Sequence, residues 1–389
     1  MDIFDKCRVS PMVNEAKANG TYPYFHSLES APGTEVIMEG RRRIMLGSNN
    51  YLGLTSSPLV VEAAVKALEK YGTGCSGSRF LNGTLDLHIE LEAELADYLR
   101  KDDAVIFSTG FQTNLGIISA VVKHGDFAVC DRENHASIYD GCKLSYGKML
   151  RYRHNDTDDL ENILKKIPED AGKLIITDGV FSMGGDIADL PKITELAEKY
   201  GARVMVDDAH GFGVIGDGGR GTASYFGLED KVDIIMGTFS KSLASLGGYM
   251  VCNAELAEYV RHNSRPFIFS ASMPPASCAA ALAALKYIRE HPEIVQRLSH
   301  LSSYAREGLK KRGVAIRESS TPIIPVYTYE TMNTLTKARA LYDAGVYVNT
   351  VLPPAAAPNE CLLRTSYMAT HTEPLLDEAM DIIKDIMTP

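Results

Sequence analysis

One lysine stands without other charged residues in a long apolar and glycine-rich stretch of the chain. Lys241 is the only charged residue between Asp233 and Glu255. Apolar surroundings disfavour the ammonium form and lower the pKa of a lysine, and the neutral amine is the form that attacks carbonyl groups to make Schiff bases. The sequence therefore predicts that Lys241 is a nucleophile. The alternative is a lysine that closes a buried turn and extends to water.

Hydroxyl groups and glycines surround this lysine. Thr238 and Ser240 precede it, and the pair Gly247-Gly248 follows it. Hydroxyls and backbone N–H groups are suitable donors for a phosphate group. A Schiff-base lysine beside phosphate donors indicates pyridoxal 5'-phosphate as the cofactor.

A carboxylate and a histidine follow another apolar run. Asp207 comes directly after residues 204–206, and His210 lies three residues further on. A pyridine ring accepts electrons when its nitrogen is protonated, and a buried carboxylate beside the nitrogen stabilises that form. We predict that Asp207 contacts the ring nitrogen and that His210 contacts the phenolic oxygen. A polar strand end or a metal-binding pair is the alternative, although no metal is expected.

Other predicted strand ends carry further candidates. Gly110 and Phe111 begin a helix whose N–H groups can bind phosphate, although such turns are common. His135 can stack on a flat ring or serve only in the loop structure, and Ser182 can reach the ring oxygen. Arg364 lies within an apolar run and needs an anion there, which is either a substrate carboxylate or an internal acid.

Strands alternating with helices position these residues. From about residue 104 to 251 short apolar runs alternate with helical patterns, which predicts a mainly parallel sheet covered on both faces. Function is then expected at the carboxyl ends of the strands. The predicted strands are residues 104–107, 127–130, 174–177, 203–206, 233–236 and 249–252, and the clearest helices between them are 111–123, 157–166 and 191–200.

The pattern changes on either side of this region. An N-terminal arm and a hairpin at 35–46 precede it, and two long helices at 276–290 and 294–312 follow it. We predict three parts: an arm with its hairpin at 1–50, a large cofactor-binding domain at 51–275, and a smaller α+β domain at 276–389.

Composition and charge exclude several classes of protein. The 389 residues are 45% hydrophobic and 23% charged, with a net charge of −10, so nucleic acid is not an expected partner. The seven cysteines are scattered and have no zinc-ligand spacing, which is typical of reduced thiols in a cytoplasm. No apolar run of about 18 residues predicts a transmembrane helix. We therefore expect a soluble cytoplasmic protein.

Five short motifs are spread along the chain. They are Gly-Thr-Phe-Ser-Lys-Ser at 237–242, Asp-Asp-Ala-His-Gly at 207–211, Asn-His-Ala-Ser at 134–137, Ser-Asn-Asn-Tyr-Leu-Gly at 48–53 and Met-Ala-Thr-His-Thr at 368–372. Together they resemble the α-oxoamine synthases, a branch of the fold-type I pyridoxal-phosphate enzymes, and the resemblance runs from about residue 22 to the end of the chain. It implies a large domain with a mainly parallel seven-stranded sheet, a smaller C-terminal α+β domain, and a homodimer with a shared active site.

The resemblance also implies roles for individual residues. Lys241 carries the cofactor and transfers protons, and His135 stacks on the ring. Asn49 and Arg364 bind the amino acid substrate. The phosphate ligands implied by the family are Gly110, Phe111, Thr238 and Ser240, with Ser272 or Ser270 from a partner subunit.

Members of this family condense a small amino acid with an acyl thioester, carried on CoA or a carrier protein, and release carbon dioxide. The aromatic segment at 22–25, the motif at 237–248, and the prolines at 322, 325, 353 and 354 most resemble the branch of the family that uses L-serine. This resemblance implies L-serine with a long-chain thioester such as palmitoyl-CoA, which gives 3-ketodihydrosphinganine. Alanine with a pimeloyl thioester, glycine with a short acyl-CoA, or another small polar amino acid such as cysteate are alternatives. More distant ones are an aminotransferase or lyase of the same fold and a non-catalytic partner subunit, although the presence of Lys241 argues against the last.

Overall fold

The chain divides into two compact units, which the computed structural model describes over residues 2–8 and 10–388. The larger unit comprises residues 49–299, and the smaller one joins the described residues up to Ser48 with those from His300 onward. Labels follow chain order. The elements of the larger unit are α2 Pro58–Tyr71, α3 Asp86–Tyr98, β3 Asp103–Phe107, α4 Gly110–Val121, β4 Phe127–Asp131, α5 Ala136–Leu144, β5 Lys148–Tyr152, α6 Thr157–Leu164, β6 Lys173–Asp178, α7 Leu190–Tyr200, β7 Arg203–Asp207, α8 Thr222–Phe226, β8 Ile234–Thr238, β9 Gly248–Cys252, α9 Ala254–Asn263, α10 Arg265–Ile268 and α11 Pro275–Glu290.

A seven-stranded sheet forms the centre of the larger unit. Its strand order is β3-β9-β8-β7-β6-β4-β5, and β9 alone runs antiparallel to its neighbours β3 and β8. The expected mainly parallel sheet of a fold-type I enzyme is thereby confirmed. The six strands identified in the sequence lie within one or two residues of their observed bounds. The seventh strand, β5, was missed because it is half-exposed, with Lys148 and Arg151 at the surface, whereas the other edge strand, β3, is almost entirely buried.

An apolar core fixes this sheet beneath its helices. Buried side chains from β3, β4 and β6–β9 pack with those from α4, α5, α9 and α10. Val105, Ile117, Met205 and Met250 have no exposed surface. Since each fully buried aliphatic side chain contributes roughly 1.5–3 kcal/mol, the strand ends lie on a rigid support.

The elements of the smaller unit are α1 Pro11–Ala18, β1 Glu35–Met38, β2 Arg41–Met45, β10 Ile323–Tyr329, α13 Thr331–Ala344, β11 Val346–Tyr347, β12 Asn349–Val351, β13 Cys361–Ser366 and α14 Glu373–Met387. The helix α12 Glu293–Lys311 contains the point where the two units divide. The strands form two three-stranded sheets, with the orders β1-β2-β11 and β10-β13-β12. The apolar core of this unit joins Leu301 and Leu309 to Leu376 and Leu363.

The two units differ from the three parts expected from sequence. The hairpin β1-β2 belongs to the same unit as the C-terminal residues, because Ile44 pairs in parallel with Val346 of β11. Residues 276–299 belong to the larger unit, where α11 packs against α2 and α3. Within residues 2–8 and 10–388, no helix is both long and apolar enough to cross a membrane.

Candidate active site

A cavity of about 270 Å³ lies at the carboxyl ends of the central strands. The final residues of β6, β7 and β8 all line it, as parallel strands require, because their carboxyl ends meet at one edge of the sheet. The structure thus brings together most of the residues predicted from sequence. The predicted residues that line the cavity are Gly110, Phe111, His135, Asp207, His210, Thr238, Ser240 and Lys241.

The start of α4 and the end of β8 form one side of the cavity. A side-chain Cβ at Gly110 would lie 2.7 Å from Oγ1 of Thr238, so only glycine allows this close approach. The hydroxyls of Thr238 and Ser240 are 2.7 Å apart. Backbone N–H groups in the first turn of a helix have no partner within the helix. These donors and hydroxyls together make a suitable binding site for an anion.

Lys241 is half-buried beside this site. Nearby residues are anchored on both sides of it in the sequence. Phe239 is fully buried and stacks on Tyr249, while the hydroxyl of Ser242 donates a hydrogen bond of 2.7 Å to the carbonyl of Phe212. The backbone around the lysine is therefore held on both sides. The lowered pKa expected for Lys241 stays a prediction.

Asp207, the last residue of β7, is almost completely buried and well supplied with donors. Asn114 Nδ2 donates to its Oδ2 at 2.7 Å, and the N–H of Ala209 donates to its Oδ1 at 3.1 Å. The same Asn114 amide lies 2.8 Å from the hydroxyl of Ser137, which lies 2.7 Å from Nδ1 of His135. A continuous network thus links the carboxylate to the predicted stacking histidine.

Sequence reasoning did not assign roles to Asn114 and Ser137, although Ser137 ends the motif at 134–137 and Asn114 lies in the helix that Gly110 begins. Asn114 lies one helical turn after Gly110, and Ser137 lies two residues after His135. The spacing of Gly110 and Asn114 is a usable signal, since residues four apart share one face of a helix.

A second carboxyl group, Asp178, lies beside Asp207 and was also missed. The two residues are register partners on the adjacent strands β6 and β7, and both line the cavity. Burial, and then the charge of Asp207, raise the pKa of Asp178 well above its usual value. Its Oδ1 accepts a hydrogen bond of 3.2 Å from the backbone N–H of His135. Burial therefore favours the protonated form of Asp178, and its side chain anchors the loop of His135.

The two predicted histidines have different environments. Burial lowers the pKa of His135, an effect that Asp207 opposes and Lys241 reinforces, so burial favours the neutral imidazole. Its ring lies edge-on to Phe111 with 6.3 Å between centroids. Nδ1 of His210 lies 2.7 Å from the hydroxyl of Tyr51, which is fully buried. Tyr51 therefore orients the His210 ring.

Asp208, which is adjacent to Asp207 in sequence, is bonded to the backbone and side chain of Thr222 and does not line the cavity. Its two oxygens accept hydrogen bonds of 2.6 Å from the N–H and the hydroxyl of Thr222. Burial raises the pKa of Asp208 to about 7, against these hydrogen bonds, which lower it. Of the two neighbouring acids, only Asp207 lines the cavity, as the sequence predicted.

The remaining predicted site residues do not line this cavity. The hydroxyl of Ser272 donates to the carbonyl of Gly77 at 3.0 Å, and Ser270 accepts from Gln112 Nε2 at 3.1 Å. Ser182 follows β6 and is half-buried, Asn49 Oδ1 accepts from the Tyr51 hydroxyl at 3.4 Å, and Arg364 is buried in β13 of the smaller unit. Their roles stay predictions.

The fold and cavity define the class of protein. It is an α/β enzyme with a lysine, a buried carboxylate and an anion site at the carboxyl edge of a mainly parallel sheet. Residues 41–383 match the family model of aminotransferase class I and II. The chain belongs to this family, and its resemblance to the α-oxoamine synthases is confirmed.

Three similar proteins refine this placement. The chain is 50% identical to the serine palmitoyltransferase of Sphingobacterium spiritivorum, over 95% of this chain and 93% of that protein. It is 41% identical to the 8-amino-7-oxononanoate synthase of Thermoanaerobacter pseudethanolicus, over 99% and 98% of the two chains. A solved structure of serine palmitoyltransferase with a pyridoxal-phosphate internal aldimine matches this chain with a TM-score of 0.96 and 37% identity. The match covers 99% of this chain and 98% of that chain.

Proposed function

We propose that this protein is a pyridoxal-phosphate-dependent acyltransferase that condenses L-serine with a long-chain acyl thioester such as palmitoyl-CoA. The reaction releases carbon dioxide and the thiol and gives a 3-keto amino product such as 3-ketodihydrosphinganine. The observation that carries the proposal is the gathering of Lys241, Asp207 and the anion site in one cavity, in a chain with this similarity to serine palmitoyltransferases.

The residues of the cavity fit pyridoxal phosphate. The close approach of Gly110 to Thr238 leaves the start of α4 open to a phosphate group, with the hydroxyls of Thr238 and Ser240 beside it. The amine of Lys241 is a suitable partner for an aldehyde, and the carboxylate of Asp207 is a suitable partner for a protonated ring nitrogen. When bound, the cofactor supplies an electron sink for negative charge at the substrate α-carbon.

The side chains of this chain then supply binding and proton transfer. Nζ of Lys241 removes the proton from the α-carbon of the amino acid and returns a proton after decarboxylation. Asp207 holds the proton at the ring nitrogen, and the Asn114 amide holds Asp207 in place. His135 packs on the ring from the loop that Asp178 anchors.

Further predicted contacts belong to the same proposal. His210 and Ser182 bind the phenolic oxygen, Ser272 of a partner subunit binds phosphate, and Asn49 and Arg364 bind the amino acid. We also propose that the protein is located in the cytoplasm.

A matrix of substrates tests the proposal directly. The purified protein is incubated with pyridoxal phosphate, with serine, alanine or glycine, and with palmitoyl-, pimeloyl- or acetyl-CoA, and the products are identified by mass spectrometry. We expect 3-ketodihydrosphinganine from serine with palmitoyl-CoA, and none from the Lys241→Ala variant. Turnover only of alanine with pimeloyl-CoA would support an 8-amino-7-oxononanoate synthase instead, and formation of keto acid with pyridoxamine phosphate would support an aminotransferase.

We also propose that the protein is a homodimer. Large apolar side chains of α2 are exposed: Leu59, Val61, Val65 and Leu68 all have more than two fifths of their surface accessible. Exposed apolar stripes of this kind are typical of protein interfaces. Sedimentation velocity at micromolar concentration is expected to give a dimer of the 42.5 kDa chain, whereas a single species at the monomer mass would exclude it.

A further inference from the structure

His154 lies among three carboxylates, two residues beyond the end of β5. Its Nδ1 is 3.0 Å from Oδ1 of Asp131, and its Nε2 is 2.7 Å from Oδ2 of Asp186 and 3.6 Å from Oε2 of Glu133. The ring of Phe181 packs edge-on against the imidazole, with 4.4 Å between the ring centroids. Both ring nitrogens are thus directed at acids that belong to different segments.

The first segment is the loop that carries His135. Asp131 ends β4, and its carboxylate also accepts hydrogen bonds from the N–H of Glu133 at 2.8 Å and of Asn155 at 2.7 Å. His154 and Asn155 therefore hold the outer side of this loop. Its inner side is held separately by the hydrogen bond from the His135 N–H to Asp178.

The second segment is residues 181–187, which carry Ser182. The N–H of Phe181 donates to the carbonyl of Asp186 at 2.9 Å, and the Asn155 amide donates to the carbonyl of Ile187 at 2.9 Å. The side chain of Asp186 reaches back to His154. The pair His154-Asn155 thus joins the two segments that carry His135 and Ser182.

The charge of the imidazole is what makes this arrangement stable. Burial opposes a charge on His154, but the hydrogen bonds and the negative charges of Asp131 and Asp186 outweigh it and raise the pKa of His154 to about 10. The charged groups that face the ring are Asp131, Asp186 and, at longer range, Glu133. Without the imidazolium, these carboxylates would repel one another across the gap between the segments.

We propose that His154 is a positioning residue of the active site: by bridging Asp131 and Asp186, it holds the loop of His135 against the segment of Ser182. It acts through these two acids and contacts no reacting atom. The effect on turnover rests on the proposed function, whereas the effect on the two segments does not.

The experiment compares four forms of the holoenzyme. His154→Asn removes the charge and keeps a small hydrogen-bonding side chain. The double variant His154→Asn with Asp186→Asn also removes one of the repelling charges. Arg153→Gln is the matched control, because this neighbouring cation is mostly exposed. It pairs with Asp156 and Asp159 rather than with the two acids that His154 bridges.

Three measurements separate positioning from general stability: amide hydrogen exchange of residues 131–137 and 181–187, the affinity for pyridoxal phosphate, and kcat and KM at a temperature where every form is folded. For His154→Asn we expect at least 10-fold faster exchange confined to these two segments. We also expect roughly 10-fold weaker cofactor binding and a similar fall in kcat with KM changed less than twofold. The double variant should recover part of each loss, and Arg153→Gln should match the wild type.

Exchange in both segments that is unchanged in His154→Asn, or changed equally in Arg153→Gln, would overturn the proposal. If His154→Asn does not fold, Asp186→Asn removes one arm of the bridge, and it must then show faster exchange in residues 181–187. A wild-type protein that makes none of the expected products would defeat the proposed function, while the exchange result would still decide the role of His154.

Discussion

The side-chain amide of Asn114 donates a hydrogen bond of 2.7 Å to the carboxylate of Asp207 and lies 2.8 Å from the hydroxyl of Ser137. The buried carboxylate therefore has a donor that comes from a helix, and the same amide reaches the segment of His135. An amide that bridges two such groups fixes the position of the acid relative to the segment of His135.

Replacing Asn114 with alanine tests this bridge. Because a hydrogen bond to a charged group contributes roughly 1.5–3 kcal/mol, we expect about 10- to 100-fold weaker binding of pyridoxal phosphate. Titration of the apoprotein, followed by the visible absorbance of the bound cofactor, measures the loss. Ser119→Ala is the control, since this hydroxyl on α4 bonds to the carbonyl of Leu115 within the same helix. Equal affinity in wild type and Asn114→Ala would contradict the interpretation.

Lys241 provides the second prediction. Its replacement by alanine removes the nucleophile and the proton-transfer group, and general acid–base catalysis alone contributes about 10²- to 10⁴-fold in rate. The neighbouring Phe239 and Ser242 keep their contacts, so the melting temperature of the apoprotein should change little. Borohydride reduction of the yellow holoenzyme followed by peptide mapping should label residue 241 in the wild type and no residue in the variant. A label at any other lysine would refute the assignment.

The pH dependence of stability gives a third prediction through His371, in the motif at 368–372. Burial lowers the pKa of His371 to about 4 from the ordinary value of 6.5. The folded state therefore binds this proton less readily than the unfolded state does. Its contribution to stability is fully present above pH 6.5 and is lost as the pH falls towards 4, by up to about 3 kcal/mol.

Urea unfolding at several pH values between 4 and 7.5 measures this contribution. The loss of unfolding free energy on acidification should be smaller in His371→Gln than in the wild type, because glutamine cannot be protonated there. His300→Gln, which changes an exposed histidine paired with Glu373, should behave as the wild type does. Parallel pH curves for wild type and His371→Gln would contradict the prediction.

Local patterns in the sequence were sufficient for the strands that lie inside the sheet. Such strands are buried on both faces and read as apolar runs, as Ile234–Thr238 does. The edge strand Lys148–Tyr152 is half-exposed, and its two cations, Lys148 and Arg151, interrupt the apolar residues without regular alternation, so its pattern is weak. His154, which follows this strand, was missed for the same reason.

The parts of the site that sequence did not predict depend on contacts between distant residues. Asp178 becomes a neighbour of Asp207 only through the register of two strands, and Asn114 reaches Asp207 across 93 residues of chain. Asp207 was identified because it directly follows a buried run, and Lys241 because it is the only charged residue in an apolar stretch. Periodicity shows where a strand ends, but not which side chains from other strands meet there.

The adjacent acids Asp207 and Asp208 allow the sharpest test of the site. Both are buried, and they differ by one position in sequence, but only Asp207 lines the cavity, while Asp208 bonds to Thr222. An opposite charge within about 4–6 Å shifts a pKa by roughly 1–3 units. Asp207→Asn should therefore leave the cofactor ring roughly 10- to 1,000-fold less protonated and lower kcat accordingly.

Asp208→Asn should have the opposite profile. Its amide oxygen keeps one of the two hydrogen bonds from Thr222, so we expect a change in unfolding free energy of about 1–3 kcal/mol. The kcat of the folded fraction and the spectrum of the bound cofactor should remain those of the wild type. Steady-state kinetics and urea unfolding of both variants measure the two effects separately. If Asp208→Asn lost the cofactor and Asp207→Asn kept it, the roles assigned to the two acids would be reversed.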